Sequence, residues 1–307
     1  MEYCIKRQVN ALLTGAFAFI GIFCTLAQTK VDSVYQYLKN PTKNYVLVVS
    51  HRGDWRYAPE NSLQAIQRCI ELGVDIVELD VRKTKDGHLV LLHDKTLNRT
   101  TNGKGKVSEL NLAEIKKLRL KNAINIKGSQ QAVPTLREAL SLTKDKIMVN
   151  LDKIEADMIP EIFTILQETK TLKQVILKGR LAVDKMIKKN GSLMQKIIYM
   201  PIISTELKNP NQFIINYEKN LKPLAYELLF SSINSENFKQ ITYLNKQKRT
   251  VLVVALWDEL CGGYTDEKML LEGAEASWGK LISFGVNALM TDRPKSLIKY
   301  LKSKGLR

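Results

Sequence analysis

Two of the three histidines in this 307-residue chain bracket one short, carboxylate-rich stretch. It opens with His51-Arg52-Gly53, runs through Pro59-Glu60-Asn61 and Glu78-Leu79-Asp80, and closes at His93-Asp94. An imidazole titrates near neutrality, so two at one site can act as general base and general acid on opposite oxygens of a phosphodiester. Arg52 offers a forked donor to phosphate oxygens, and Gly53 lets backbone approach closely. Glu78 and Asp80, two residues apart on a strand, point to the same face. Their oxygens suit a hard cation, Ca²⁺ or Mg²⁺, rather than zinc. Such a cation would neutralise phosphate charge and acidify a coordinated hydroxyl.

These groups need a scaffold that gathers strand ends. The β-branched run 45–50 predicts a buried strand ending at His51, after a polar lead-in. Asn61 or Ser62 caps a helix reaching about residue 72, with Gln64 as capping-box partner to Asn61 and Gly73 as its stop. Residues 76–82 form the next strand. Lys85-Asp86-Gly87 then turns the chain so that 89–93 returns as a hairpin carrying His93. A polar loop over 98–108 and a short helix over 112–118 follow, and Pro134 heads a helix over 135–143. From there strands at 147–151, 174–178, 197–203, 225–230, 250–257 and 288–290 alternate with helical segments, the last two of these at 274–284 and 294–302.

Eight strand–helix units predict an α/β fold, a (β/α)8 TIM barrel over 45–307 with a hairpin and loop insertion after the second strand. A doubly wound open sheet is the competing architecture. The polar residues favour the barrel. His51, Glu78, Asp80, Asp152, Lys178, Glu227, Trp257 and Asp292 all fall at or just beyond carboxyl ends of strands, the rim where a barrel carries its site.

Lys6 and Arg7 precede an apolar run from 11 to 27 that ends in Thr25-Leu26-Ala27, the small-residue pattern of a signal-peptidase site. Residues 1–27 are therefore expected to be a signal peptide, with an uncleaved anchor as the alternative. The protein would then be exported to a periplasmic or extracellular space, meeting the membrane only in transit or through that anchor. Cleavage would remove Cys4 and Cys24 and leave Cys69 and Cys261. Cys69 sits among apolar helix neighbours and reads as a buried free thiol, and no CxxC suggests zinc. The net charge of +16 falls to about +15 without this segment. Its lysines are scattered along helices rather than interleaved with aromatics, so they read as solvated faces and not as a nucleic-acid surface.

The motifs together resemble the glycerophosphodiester phosphodiesterase family. The resemblance rests on His51-Arg52-Gly53, Pro59-Glu60-Asn61-Ser62, Glu78-Leu79-Asp80-Val81, Thr84-Lys85-Asp86-Gly87 and His93-Asp94. Arg99-Thr100-Thr101, Val133-Pro134-Thr135-Leu136-Arg137-Glu138 and Thr291-Asp292-Arg293-Pro294 extend it. It covers about Val46 to the end and implies a (β/α)8 barrel, a divalent cation, and hydrolysis of glycerophosphodiesters to glycerol 3-phosphate and an alcohol. It also implies acid and base roles for His51 and His93, metal ligation by Glu78 and Asp80, and substrate binding and site organisation by Arg52 and Glu60.

One departure concerns the third barrel strand, where the family pattern is Glu-x-Lys and this chain reads Asn150-Leu151-Asp152-Lys153. Asp152 is the expected third metal ligand, with Asn150 as the neutral alternative. Strand alternation would turn Lys153 away from Asp152 unless the strand ends there. Lys153 or Lys178 would supply the phosphate-binding cation. Trp257 is a candidate for stacking on substrate or for packing at the rim. Two further readings share the barrel: a phospholipase-like or sugar-phosphodiester hydrolase, and a catalytically weak phosphodiester-binding protein.

Overall fold

A computed structural model describes residues 28–122 and 129–307, so the expected signal segment lies outside the described residues. The strands are β1 (Leu47–Ser50), β2 (Ile76–Lys83), β3 (Leu89–Leu91), β4 (Met148–Asp152), β5 (Val175–Gly179), β6 (Ile198–Ile203), β7 (Ala225–Leu228), β8 (Thr250–Val254) and β9 (Ala288–Thr291). All but β3 are parallel, and β1 pairs with both β9 and β2, which closes eight strands into a barrel. The expected architecture is the one observed. The helices are α1 (Lys30–Lys39), α2 (Leu63–Leu72), α3 (Leu112–Ile115), α4 (Leu136–Thr143), α5 (Ile159–Thr169), α6 (Val183–Asn190), α7 (Pro210–Asn220), α8 (Glu236–Lys246), α9 (Asp258–Cys261), α10 (Asp266–Glu272), α11 (Trp278–Ser283) and α12 (Pro294–Ser303).

Strand alternation divides the core in two. Val48, Val77, Leu79, Val149, Leu151, Val175, Leu177, Val251, Val253 and Leu289 face the surrounding helices. Leu47, Val49, Ile76, Met148, Ile176, Met200, Leu252, Val254, Ala288 and Met290 fill the barrel interior. The inward parity, continued toward the carboxyl ends, directs Glu78, Asp80, Asn150, Asp152, Lys178 and Glu227 inward as well. Apolar side chains therefore occupy the floor and titratable ones the rim.

The polar lead-in contains a helix that the strand–helix reading did not anticipate. Thr29 and Asp32 form a capping box at the start of α1. Val31, Val34 and Leu38, at helical spacing, join the interior cluster and plug the barrel floor. Asp75 fastens this plug. It accepts Lys30 Nζ at 2.6 Å, Tyr45 OH at 2.9 Å and Val48 N at 2.9 Å, and pairs with Arg307.

Other boundaries also moved. Ser62, not Asn61, caps α2 by accepting Ala65 N, and no capping box with Gln64 forms. Asn61 instead takes a left-handed φ of 59° and spends its side chain on Asp80. Helix α3 stops at Ile115. Between β8 and β9 the chain makes α9, α10 and a 3₁₀ turn before α11, where a single helix over 274–284 was expected. The hairpin is as expected: β2 and β3 pair antiparallel, Val81 opposite Leu91, around a turn held by Thr84 and Asp86. The insertion beyond it has its own small core of Val90, Leu92, Leu97, Val107, Ile115, Leu120 and Val133. Cys69 and Cys261 are buried free thiols, each pushed up to about 12 by burial.

Candidate active site

The carboxyl end of β1 delivers His51 to the rim, and β9 delivers its partner. Asp292 Oδ1 lies 2.8 Å from His51 Nδ1 and also accepts Trp55 Nε1 at 2.6 Å. With Nδ1 engaged, Nε2 is the ring nitrogen left for chemistry. The buried His51 ring would lose its proton readily, but the Asp292 hydrogen bond and the Glu78 charge outweigh burial and raise its pKa.

The hairpin brings His93 to the same pocket with the same device, its Nδ1 lying 2.7 Å from Asp94 Oδ1. The Arg82 guanidinium donates from Nε to the His93 carbonyl at 3.0 Å, tying hairpin to strand. Here burial outweighs the pull of Asp80 and Asp94, so the His93 pKa is lowered. The two imidazoles thus shift in opposite directions.

Arg99 joins the two halves of the rim. It grips Asp94 from Nε at 2.8 Å and Glu60 from Nη1 and Nη2 at 2.7 and 2.9 Å. Glu60 in turn accepts Arg52 Nη1 at 3.1 Å. Arg52 adopts a left-handed φ of 52°, which lets its backbone N–H donate to Glu78 Oε2 at 3.0 Å. Gly53 has a packing role: a Cβ there would sit 2.7 Å from Ala65 Cβ, so only glycine lets α2 come this close.

Glu78, Asp80 and Asp152 each contribute one carboxylate oxygen to a group lying within 4.8 Å of one another. Asn61 positions Asp80 through both its amide atoms, accepting Asp80 N at 3.0 Å and donating to Oδ2 at 2.9 Å. Asn150 pairs with Glu78 one layer nearer the floor, its buried amide without a hydrogen-bond partner among the described residues. Geometrically, Asp152 rather than Asn150 completes the acidic group. The strand ends at Asp152, and Lys153 turns into a left-handed φ of 59°, donating its N–H to Asp152 Oδ1 at 2.5 Å. That turn returns the Lys153 side chain to the pocket.

The donor set fits a hard cation. Burial first, then the neighbouring Asp80, pushes the Glu78 carboxyl up to about 7, the mark of carboxylates crowded without enough positive charge. Glu78 ionises near its ordinary 4.5 when unfolded but only near 7 when folded. In metal-free protein its contribution is full below about pH 4.5 and falls as pH rises through about 7, by on the order of 3 kcal/mol. Urea melts at pH 5 and pH 8 in chelator, compared with Glu78→Gln, isolate this carboxyl. The wild-type loss should exceed that of the variant, and an equal loss would refute it.

Lys178 is fully enclosed by these acids. Its Nζ lies 2.9 Å from Glu227, 3.2 Å from Asp152 and 3.8 Å from Glu78. Burial disfavours its charge, but Asp152, Glu227 and Glu78 reverse that and hold its pKa well above the ordinary value. Burial likewise pushes the Asp152 carboxyl up, but Lys178 and Lys153 outweigh it and bring the pKa well below the usual range. Lys178→Met would leave buried carboxylates without their cation and should cost roughly 3–5 kcal/mol. Denaturant melts would show this, and a loss under about 1 kcal/mol would contradict the assignment. With Lys178 so occupied, Lys153 and Arg180 are the pocket cations with no ion pair among the described residues.

The pocket, about 100 Å³, also has an apolar wall of Leu229, Val254, Trp257, Leu260 and Met290. Trp257 is 47% exposed and meets the His51 ring edge-on at 5.8 Å. A larger groove, about 450 Å³ near Lys43, Asn245 and Phe284, has no carboxylate, histidine or cysteine in its lining.

All the expected site residues, His51, Arg52, Glu60, Glu78, Asp80, His93, Asp152, Lys153, Lys178 and Trp257, meet at this rim, with Glu60 behind Arg52 and Arg99 rather than in the pocket lining. Sequence reasoning assigned no part to Trp55, Asp94 or Arg99, placed Asp292 at the rim without a partner, and read Asn61 only as a helix-cap candidate. Asp292, Asp94, Arg99 and Asn61 stand within or beside the quoted motifs, but only proximity shows what each one holds.

The glycerophosphoryl diester phosphodiesterase family model matches residues 51–296, from His51 to the start of the last helix. The chain belongs to this family. A glycerophosphodiester phosphodiesterase of Caldanaerobacter subterraneus subsp. tengcongensis is 49% identical over 107 residues, 34% of this chain and 44% of the relative. The chain spans less than half the length of the curated relatives it matches. A glycerophosphoryl diester phosphodiesterase structure from Parabacteroides distasonis superposes with a TM-score of 0.73 at 24% identity, covering 89% of this chain and 92% of that one. An Oleispira antarctica phosphodiesterase, solved in complex with the product sn-glycerol-3-phosphate, gives 0.65 at 23% identity over 88% and 99%. Likeness at these identities is one of fold.

Proposed function

We propose that this protein is a glycerophosphodiester phosphodiesterase that uses a divalent cation and releases sn-glycerol 3-phosphate and an alcohol. The observation that carries this reading is the pair of histidines, each braced by a carboxylate, facing a three-carboxylate group across one pocket. Family membership and the product held by the Oleispira antarctica neighbour support the substrate class.

Glu78, Asp80 and Asp152 would hold the cation, which neutralises phosphate charge and acidifies a hydroxyl when bound. The donor chemistry favours Ca²⁺ or Mg²⁺. His93, with its lowered pKa, takes the proton of the attacking hydroxyl, which belongs to water or to the glycerol moiety; in the second case water must then open the cyclic phosphate to give glycerol 3-phosphate. His51, with its raised pKa, gives a proton to the departing alkoxide. Arg52 and Lys153 hold the phosphate oxygens, and Trp257 covers the leaving side.

We further propose export, with cleavage after residue 27, on the strength of the terminal sequence. Among the described residues no helix is long and apolar enough to cross a membrane. The decisive assay is glycerol 3-phosphate release from glycerophosphocholine and glycerophosphoethanolamine with calcium, magnesium or chelator. Release with a cation and none in chelator is expected. No release from any phosphodiester by folded protein would favour the binding-protein reading.

A further inference from the structure

Behind the His51–Asp292 pair lies a second carboxylate, Asp266, supplied by the unexpected excursion between β8 and β9. Asp266 is 6% exposed. It accepts Thr291 Oγ1 on both oxygens at 2.8 Å, Asp292 N at 2.7 Å and Trp278 Nε1 at 2.9 Å. Its own N–H donates to Ala255 O at 2.8 Å, and Ser277 Oγ donates to Thr265 O at 2.7 Å, closing the excursion on itself. Thr291 in turn accepts Arg293 N on its hydroxyl and His51 N on its carbonyl. The turn that presents Asp292 to the imidazole is thus clamped from side chain and backbone at once.

Trp278 Nε1 and Asp292 N can only donate and reach different oxygens of Asp266, and the ionised carboxylate accepts from both and from the Thr291 hydroxyl. No cation pairs with it among the described residues. Burial pushes the carboxyl up to about 6, against the pull of Thr291, Asp292 and Trp278. A buried charge without a counter-ion is costly, and here the donors that offset it are the ones that shape the turn carrying Asp292. What the charge secures is a fixed orientation for Asp292.

We propose that Asp266 is a positioning residue for the reaction assigned above, acting through Asp292 on the orientation of His51. Asparagine at 266 offers one acceptor oxygen and an amide that competes as donor, so at least one of the three donors is orphaned. The Asp292 carboxylate then loses its fixed angle, and an error of about 1 Å at a proton-transfer group can cost roughly 10²-fold.

Because the proposal rests on the phosphodiesterase reading, its test has a kinetic and a spectroscopic arm. Asp266→Asn should lower kcat roughly 10–100-fold with KM changed less than about threefold. Asp292→Asn should cost more, and Asp266→Asn/Asp292→Asn should be no slower than Asp292→Asn alone, because the two act on one lever. Multiplying effects, or wild-type kcat in Asp266→Asn, would overturn it. With only three histidines, the ring N–H resonances of His51 and His93 are separable by proton NMR. Asp266→Asn should shift or broaden the His51 Nδ1–H signal and spare that of His93, and an unchanged His51 signal would overturn the proposal without any turnover being measured. A wild-type protein with no turnover would instead refute the functional reading. Thr291→Val, which removes one donor to Asp266 together with the acceptor of Arg293 N and keeps the carboxylate, should move both readouts the same way to a smaller degree, and covers the case in which Asp266→Asn does not fold.

Discussion

Alanine at His51 or at His93 is expected to lower kcat by roughly 10²–10⁴-fold each, leaving the fold intact. The two losses should not multiply, since a base without its acid is already stalled. The stability costs should differ. His51 is 9% exposed, and its removal leaves Asp292 with Trp55 as its remaining side-chain donor. That variant should lose about 1–3 kcal/mol through the lost hydrogen bond to Asp292 and the space left behind. His93 is 29% exposed at its side chain, and Asp94 keeps Arg99, so its removal should cost under about 1 kcal/mol. Glycerol 3-phosphate release and urea melts on both variants check this. Near-normal turnover in either would sink the assignment.

The second large effect concerns the acidic group, and here activity and stability should move in opposite directions. Glu78→Gln keeps an oxygen to accept Arg52 N but removes a carboxylate that burial and Asp80 already disfavour. Without a divalent cation at pH 8, the variant should therefore melt higher than wild type. It should also lose most of the thermal shift that calcium or magnesium gives wild type, together with at least about 10²-fold in turnover. A site that must bind a cation is strained when it lacks one, and relieving the strain removes the function. A variant that kept both its cation-induced shift and its rate would exclude Glu78 as a ligand.

Several of these interactions exist only in the folded chain. The floor plug α1 hid in the lead-in because its apolar positions, Val31, Val34 and Leu38, are spaced among charged and polar ones on a segment outside the strand–helix alternation. At Asn150-Leu151-Asp152-Lys153, alternation alone could not bring both charged side chains to one pocket. The strand's end and the left-handed φ at Lys153 did so. Lys178 read equally well as a phosphate ligand until its three carboxylate neighbours were visible. Asp266 carried no local signal, because the donors that define it come from residues 278, 291 and 292.

The barrel and the members of the candidate site were legible in residue order alone. Strand and helix periods are local properties of the chain, and the His-Arg-Gly, Glu-x-Asp and His-Asp motifs are short enough to carry their meaning in adjacent residues. The tertiary structure alone decided the partners. Asp292 stands 241 positions from His51, Glu227 stands 49 from Lys178, and Glu60 stands 39 from Arg99. Hydrogen bonds and charge interactions act over a few ångströms of space, whatever the separation along the chain. Which carboxylate stands against each imidazole, and which acids gather at one pocket, therefore followed only from the closed barrel.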